Sequence, residues 1–240
     1  MNIRNQIKLS LENFKKDFLT NISVTGFIEN NTITEVIEIN NAYLIKGKSD
    51  VEWIYLVCKN EIELKWLLEK TTGDNKYFTS VEDWMIPVIT KSNKPEWLLS
   101  AMRYYLPYNI EIPQNKIEVT SLTNEHIGFI ISQSNYKQFL TASYVEERIN
   151  KSISAAILKG TKLIAWGLTH DDGALGSLHV LDEYRKKGYG REILISLIHQ
   201  NRRLKKVPFV QIEEKNNKAI NLVEQLGFVK DRKVNWLKLR

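Results

Sequence analysis

Apolar residues recur at a helical interval near the start of the chain. Ile7, Leu11, Phe14 and Phe18 are spaced four, three and four apart, which gathers them into one stripe and predicts an amphipathic helix. The pattern then shortens. Residues 23–28, 32–39, 43–46 and 51–58 form short runs rich in β-branched and aromatic side chains, the composition of strands. Asn30-Asn31 reads as a hairpin turn between the first two, because asparagine tolerates positive φ. Helical spacing returns at 61–69, with Ile62, Leu64, Trp66 and Leu67, and again at 96–105 behind Pro95, a favoured first-turn residue. Pro107 and Pro113 bracket a polar extended stretch. That stretch is the expected junction between two domains, 1–112 and 113–240.

The second half predicts a strand at 116–122, helical segments around 124–133 and 144–151, and three strands in series at 152–158, 162–169 and 174–181. Lys159-Gly160-Thr161 and Asp171-Asp172-Gly173 supply the turns between those strands. A helix from 190 to 203 would bury Ile193, Leu194, Leu197 and Ile198. A strand at 207–212, a helix at 216–226 and a final strand or hairpin at 228–239 follow. This order predicts a mixed α/β (α+β) fold with helices packed on a sheet.

Composition narrows the class. The chain has 240 residues, 43% hydrophobic and 26% charged, the balance of a globular protein with a full core. No apolar run approaches a membrane span, and the charged N-terminus lacks a secretory pattern, so neither membrane nor export is expected. The single cysteine, Cys58, excludes an internal disulfide and a four-cysteine zinc site. It reads as a small buried hydrophobe, and a reducing, cytoplasmic setting fits. The net charge of +6 is spread along the chain, with local clusters only at 185–187 and 202–206. Neither cluster has interleaved aromatics or the length of a basic arm, so nucleic acid is not the expected partner. A mild positive balance also suits a polyanionic cofactor. His126, His170 and His199 show no metal-ligand spacing, and no metal is expected.

The sharpest chemistry lies in LHVLDEYRKKGYGR, residues 178–191. An apolar strand runs into a short loop containing R-x-x-G-x-G, and a helix begins at once. A helix N-terminus offers unpaired N–H groups and partial positive charge. Gly188 and Gly190 permit positive φ and close backbone approach. Arg185, Lys186 and Lys187 add charge, so the segment is a candidate pyrophosphate site. A dinucleotide fingerprint needs a third glycine where Ile193 stands, and no Walker loop occurs.

The segment resembles the acyl-CoA signature of the GNAT acetyltransferase superfamily, with Tyr184 and Arg185 opening the loop. A second signature follows about 26 residues on: Asn216, Ala219 and Leu222 ahead of Gly227-Phe228. The resemblance covers roughly residues 116–240. Within the superfamily the chain is most similar to the glycine N-acyltransferase-like branch, through Glu147-Arg148, Trp166, Pro208-Phe209 and Trp236. The resemblance implies a GNAT-like, mostly antiparallel sheet flanked by helices. It also implies two tandem halves, the first a degenerate copy without a cofactor motif. It implies acetyl-CoA or another acyl-CoA as cosubstrate. The backbone of Leu178, His179 and Val180 would pair with the pantetheine arm. The amides of Lys186, Lys187, Gly188, Tyr189, Gly190 and Arg191 would hold the pyrophosphate after Arg185, and Asn216 would lie beside the cofactor. Asn216 also reads as a plain helix cap.

The implied reaction is direct transfer of the acyl group to an amine of a small molecule or amino acid, without a covalent acyl-enzyme. The backbone N–H of Val180 is a candidate to polarise the thioester carbonyl. Two positions depart from the family. Its usual glutamate base falls at Ala174 and its usual tyrosine acid at Val223. The remaining candidates for proton transfer are water, Asp172 beside Asp171, and His179. For Asp172 the plainer reading is turn chemistry, and for His179 it is packing. A non-catalytic acyl-CoA-binding module is the alternative. Tyr136, Phe139 and Tyr144 are candidate acceptor-lining residues, and the chain is expected to be a monomer or homodimer.

Overall fold

The computed structural model describes residues 3–73, 75–134 and 140–240. In chain order the elements are α1 (Ile3–Phe14), α2 (Ile22–Asn30), β1 (Thr32–Ile39), β2 (Ala42–Lys48), β3 (Glu52–Val57), α3 (Glu61–Lys70), β4 (Tyr77–Val81), α4 (Ile86–Thr90) and β5 (Trp97–Tyr105). Next come α5 (Ile127–Gln133), α6 (Ala142–Lys151), β6 (Ser154–Lys159), β7 (Lys162–Thr169), β8 (Leu175–Val180), α7 (Tyr189–Arg203), β9 (Phe209–Ile212), α8 (Asn217–Gln225) and β10 (Val229–Lys238). Packing divides the chain into Met1–Met102 with Arg232–Arg240, and Arg103–Asp231. Both divisions fall inside strands, β5 and β10, and not at 112/113, where the sequence suggests a junction.

In the first unit the strands run in the order β1-β2-β3-β4-β10. All neighbours are antiparallel except β3 with β4. Asn40 and Asn41 both take positive φ, 51° and 67°, and form the β1–β2 turn. The hairpin asparagines are therefore these, not Asn30-Asn31. Residues 23–28 form α2 instead of a strand, and the reason lies in β2. Ala42 and Leu44 point to a core shared with Leu64 and Leu67 of α3, while Tyr43 and Ile45 point to a core shared with Phe14, Val24 and Phe27. A strand buried on both faces needs a helical layer on each, and α2 helps build the second. Burial overrides the β-branched composition of α2. Half-buried Cys58 packs against the first of these cores, and burial pushes its thiol up to about 12.

The expected helix over 96–105 is instead strand β5, Trp97–Tyr105. Between Pro95 and the strand, Glu96 donates its N–H to Lys238 O at 2.8 Å.

In the second unit β6, β7 and β8 make an antiparallel meander, with β8 at its edge. The long helix α7 lies across it. A Cβ on Gly167 of β7 would stand 2.8 Å from Ile193 and Leu197, so the absent side chain is what lets helix and sheet close. Segment 116–122 is not a strand and makes only the isolated bridge Thr120↔Ala156. The backbone just before is held by α7 instead. Buried Glu192 accepts from Asn115 Nδ2 at 3.0 Å and from the Lys116 N–H at 2.9 Å.

Candidate functional site

Strand β8 carries the first part of the candidate site. It pairs with β7 on one side, and β9 lies near its other side without a ladder between them. The Leu181 N–H donates inward to Ile164 O at 3.0 Å. Strand alternation then turns the Val180 N–H and C=O outward. The Val180 carbonyl accepts from Arg185 Nε at 3.1 Å, as that orientation requires. A bulge interrupts the register between Trp166↔His179 and Leu168↔Gly176, and Ser177 there takes φ 48°. The bulge leaves the ladder locally unpaired around Leu178.

The loop follows. Gly188 takes φ 86° and stands as the N-cap of α7. Without a side chain it reaches this left-handed conformation at no steric cost. The amides of Arg191 and Glu192 both donate to Gly188 O, at 2.9 and 3.2 Å. Among the described residues, the amides of Lys186, Lys187, Gly188, Tyr189 and Gly190 donate to no acceptor of the chain. The free set is thus five successive N–H groups, and it excludes Arg191, whose amide the sequence reading included. Position Gly190 sits against β8 and α8: a Cβ there would lie 3.5 Å from Val180 and 3.9 Å from Leu178 and Leu222. The helix N-terminus and the free strand edge are therefore neighbours.

The basic side chains divide their work. Arg185 Nη2 pairs with Asp182 at 2.6 Å while its Nε holds Val180 O. Lys187 donates to Glu183 O at 3.0 Å and stands 5.4 Å from the Tyr184 ring centre. These two brace the loop, and exposed Lys186, at φ 60°, is left to face solvent. Asn216 caps α8, its Oδ1 accepting from the Ala219 N–H at 3.2 Å, as the plain cap reading requires.

The two candidate proton carriers do not converge. The His179 ring stacks on Trp166, centroids 4.4 Å apart and planes 19° from parallel. Asp172 is buried in the turn before β8. Its Oδ1 accepts from the Ala174 N–H at 3.0 Å and its Oδ2 from Gln211 Nε2 of β9, also at 3.0 Å. This carboxylate builds the turn and ties it to β9. Leu175, where β8 starts, and His179 are separated by roughly 13 Å of strand. Ala174 and Val223 are both buried, so neither place where the family keeps a catalytic group exposes one. Tyr136 and Phe139 lie outside the described residues, whereas Tyr144 is on α6 with its hydroxyl 3.4 Å from His170 Nδ1.

In sequence His170 bears only on metal spacing, and its place beside β8 has no local signal. It follows β7, is half-buried, and its ring covers Gly176. Burial lowers the pKa of both His170 and His179 from the ordinary 6.5. For His179 the Arg185 charge adds to the lowering and Asp182 opposes it. For His170, Asp172 opposes the lowering and Arg148 adds to it. A depressed folded pKa favours the neutral ring in the native state. The associated stability is therefore complete above 6.5 and is lost as pH falls through the lowered values. The thermal midpoint is expected to be lower near pH ~5 than near pH ~7.5. His179→Gln should reduce that difference; a midpoint independent of pH over this range would contradict the burial of both rings.

Among the described residues no group of three or more His, Cys, Asp and Glu side chains is placed to hold a metal ion. No helix among them is long and apolar enough to cross a membrane.

Comparison with known proteins bears on this geometry. The family model described as FR47-like protein matches residues 157–237, which hold β7, β8, the loop, α7, β9, α8 and most of β10. No curated protein matches the chain. A Drosophila protein of known structure superposes with a TM-score of 0.85 at 16% identity, covering 98% of this chain and 96% of that one. A GCN5-related N-acetyltransferase from Kribbella flavida gives a TM-score of 0.59 at 12% identity, covering 92% and 93%. A tandem GNAT protein from the clavulanic acid biosynthesis pathway gives 0.56 at 10% identity, covering 99% and 95%. The fold is that of the GNAT superfamily, a mixed, mostly antiparallel sheet flanked by helices.

Proposed function

We propose that this GNAT-fold chain is a CoA-dependent N-acyltransferase. It moves the acyl group of acetyl-CoA directly to an amine of a small molecule or amino acid in the cytoplasm. The observation that carries this reading is the row of five free amides, Lys186 to Gly190, beside the open edge of β8. Amides at a helix N-terminus receive a pyrophosphate without rearrangement. An open strand edge receives an amide-bearing arm as an added strand. The outward N–H of Val180 serves that pairing, its C=O being held by Arg185, with Leu178 and His179 flanking it. Lys186 and the side chain of Arg191 supply charge near the phosphates. The Nδ2 of Asn216 remains for the cofactor while its Oδ1 caps α8.

In the reaction the amine nitrogen bonds to the thioester carbonyl carbon, the C–S bond breaks, and the proton leaves the nitrogen for water or the departing thiolate. The committed carboxylate of Asp172 and the stacked ring of His179 make them positioning residues in this scheme. Alignment of amine and thioester then supplies most of the acceleration. A second reading, an acyl-CoA-binding module without catalysis, is favoured by one observation: Ala174 and Val223 are buried and apolar.

Similarity over the whole length to a protein named as a tandem GNAT supports two GNAT-like halves, the first without a phosphate loop. The glycine N-acyltransferase-like branch is part of the proposal through the residues quoted for it. Titration calorimetry with acetyl-CoA tests the cofactor. Saturable binding in the micromolar range is expected, and no heat and no thermal shift at millimolar cofactor would reject both readings. Thiol release with any amine separates the enzyme from the binding module.

A further inference from the structure

Arg148 lies on α6 and its side chain is closed to solvent, 0% of the residue being exposed. None of its Nε, Nη1 and Nη2 atoms has a hydrogen-bond partner. Glu147 Oε1 stands 3.3 Å from Nη2 but out of hydrogen-bond alignment. That same oxygen already accepts from Lys151 Nζ at 2.9 Å. The Lys151 bond is the largest cause holding the Glu147 carboxyl below its ordinary range, and the neighbouring Arg148 charge adds to the lowering. Asp172 is spent on Ala174 and Gln211.

A guanidinium cannot lose its proton inside a protein, so its charge and five donors persist. A buried charge left without acceptors is strongly unfavourable, and a planar guanidinium fork matches a carboxylate with two parallel bonds. The surroundings suit such a ligand. The Tyr144 ring centre is 5.6 Å from the guanidinium carbon, and the Tyr144 hydroxyl faces His170 at 3.4 Å. His170 covers Gly176 of β8, the strand whose outer edge is assigned to the pantetheine arm.

We propose that Arg148 anchors a carboxylate-binding site formed with Tyr144 and His170 beside the start of β8, and that the acceptor amine brings the carboxylate. The second half of this proposal rests on the acyl-transfer reading; the first does not. Because the guanidinium is covered in the free chain, entry of the carboxylate is coupled to a local opening.

The test uses the full chain, the proteinogenic amino acids, the carboxamide of each, and acetate as a carboxylate without an amine. Thermal shift reads binding, and thiol release at saturating acetyl-CoA reads turnover. At least one acid is expected to raise the midpoint by about 2 °C or more, and to turn over at least about tenfold better than its amide. Arg148→Met should abolish both preferences and keep acetyl-CoA affinity within about twofold. It should itself melt higher than the native protein, since it removes a buried charge whose donors are left without hydrogen bonds, Glu147 being only an ion partner at 3.3 Å. Arg148→Lys keeps the charge and loses the fork, and should retain only a fraction of the preference.

Stabilisation by acetate and by acids, with equal turnover of acid and amide, would keep the site and assign its carboxylate to a ligand other than the acceptor. The site is overturned if no carboxylate stabilises the native chain, if Arg148→Met keeps the response, or if Arg148→Met fails to fold. Loss of acetyl-CoA binding by the native chain would overturn the acyl-transfer reading instead, and the acetate arm would still decide the site.

Discussion

Gly188→Asp is expected to weaken acetyl-CoA binding by more than tenfold, on the order of 1.4 kcal/mol or more. Two effects combine. The residue holds φ 86° at the cap of α7, a conformation that costs an L-residue about 1–2 kcal/mol. Relief of that strain turns the neighbouring amides away from their shared focus. The new carboxylate also stands among the five free N–H groups, where a phosphate would repel it. At ~6 Å and an effective dielectric constant of about 20, one such pair is worth about 3 kcal/mol, and less at this exposed site. Crowding is not a cause, because a Cβ at Gly188 would meet nothing within 4 Å. The distinction is measurable. Gly188→Ala carries strain without charge and should lose less. Gly188→Asn tolerates the left-handed region and should bind nearly as the native chain does. Calorimetry across the three variants reads the order directly. If Gly188→Asp bound as tightly as the native protein, the loop would not be the phosphate site.

Gly176→Ala is the second large effect, on stability. The added Cβ would lie 2.5 Å from His170 Cδ2 and closer still to Nε2. Moving the ring aside is costly, since it is half-buried and its Nδ1 faces the Tyr144 hydroxyl at 3.4 Å. Overpacking of this kind typically costs about 1–3 kcal/mol, and the stiffness of the ring places this case at the upper end. Hydrogen exchange of the β7 and β8 amides is the suitable readout, because it isolates this unit from the other. His170→Ala removes the opposing ring. The double variant should therefore recover at least about 1 kcal/mol relative to the sum of the single ones. Additive effects would mean that the ring is not what fills the space above Gly176.

Much of the second unit was legible because its signals are local. The turns Lys159-Gly160-Thr161 and Asp171-Asp172-Gly173 stand between strands that form nearly where alternation predicts. Helix α7 begins where Gly188 and Gly190 punctuate the chain. The first unit was read less well. Its α2 is built from Ile22, Val24, Thr25 and Ile28, a composition that reads as a strand, and only the two-sided burial of β2 makes a helix the better answer. Pro95 marks a helix start in sequence, but β5 pairs beside β10, far along the chain, and pairing across that distance leaves no local trace. The short elements β4 and α4 were missed, and β10 runs unbroken where a hairpin was also open.

By itself the sequence determined that a strand, a glycine-bearing basic loop and a helix follow one another at residues 178–203, because glycine placement and apolar spacing act over a few residues. The tertiary structure decided what that loop can do. It consumes the Arg191 amide within the cap, ties Arg185 and Lys187 back to the loop backbone as braces, and leaves five amides free beside the edge of β8. It also decided that Asp172 is a tie to β9, that His179 is a stacking partner, and that Arg148 is buried without acceptors. Those outcomes depend on which distant side chains arrive to share hydrogen bonds and exclude water, and no local pattern encodes such partners.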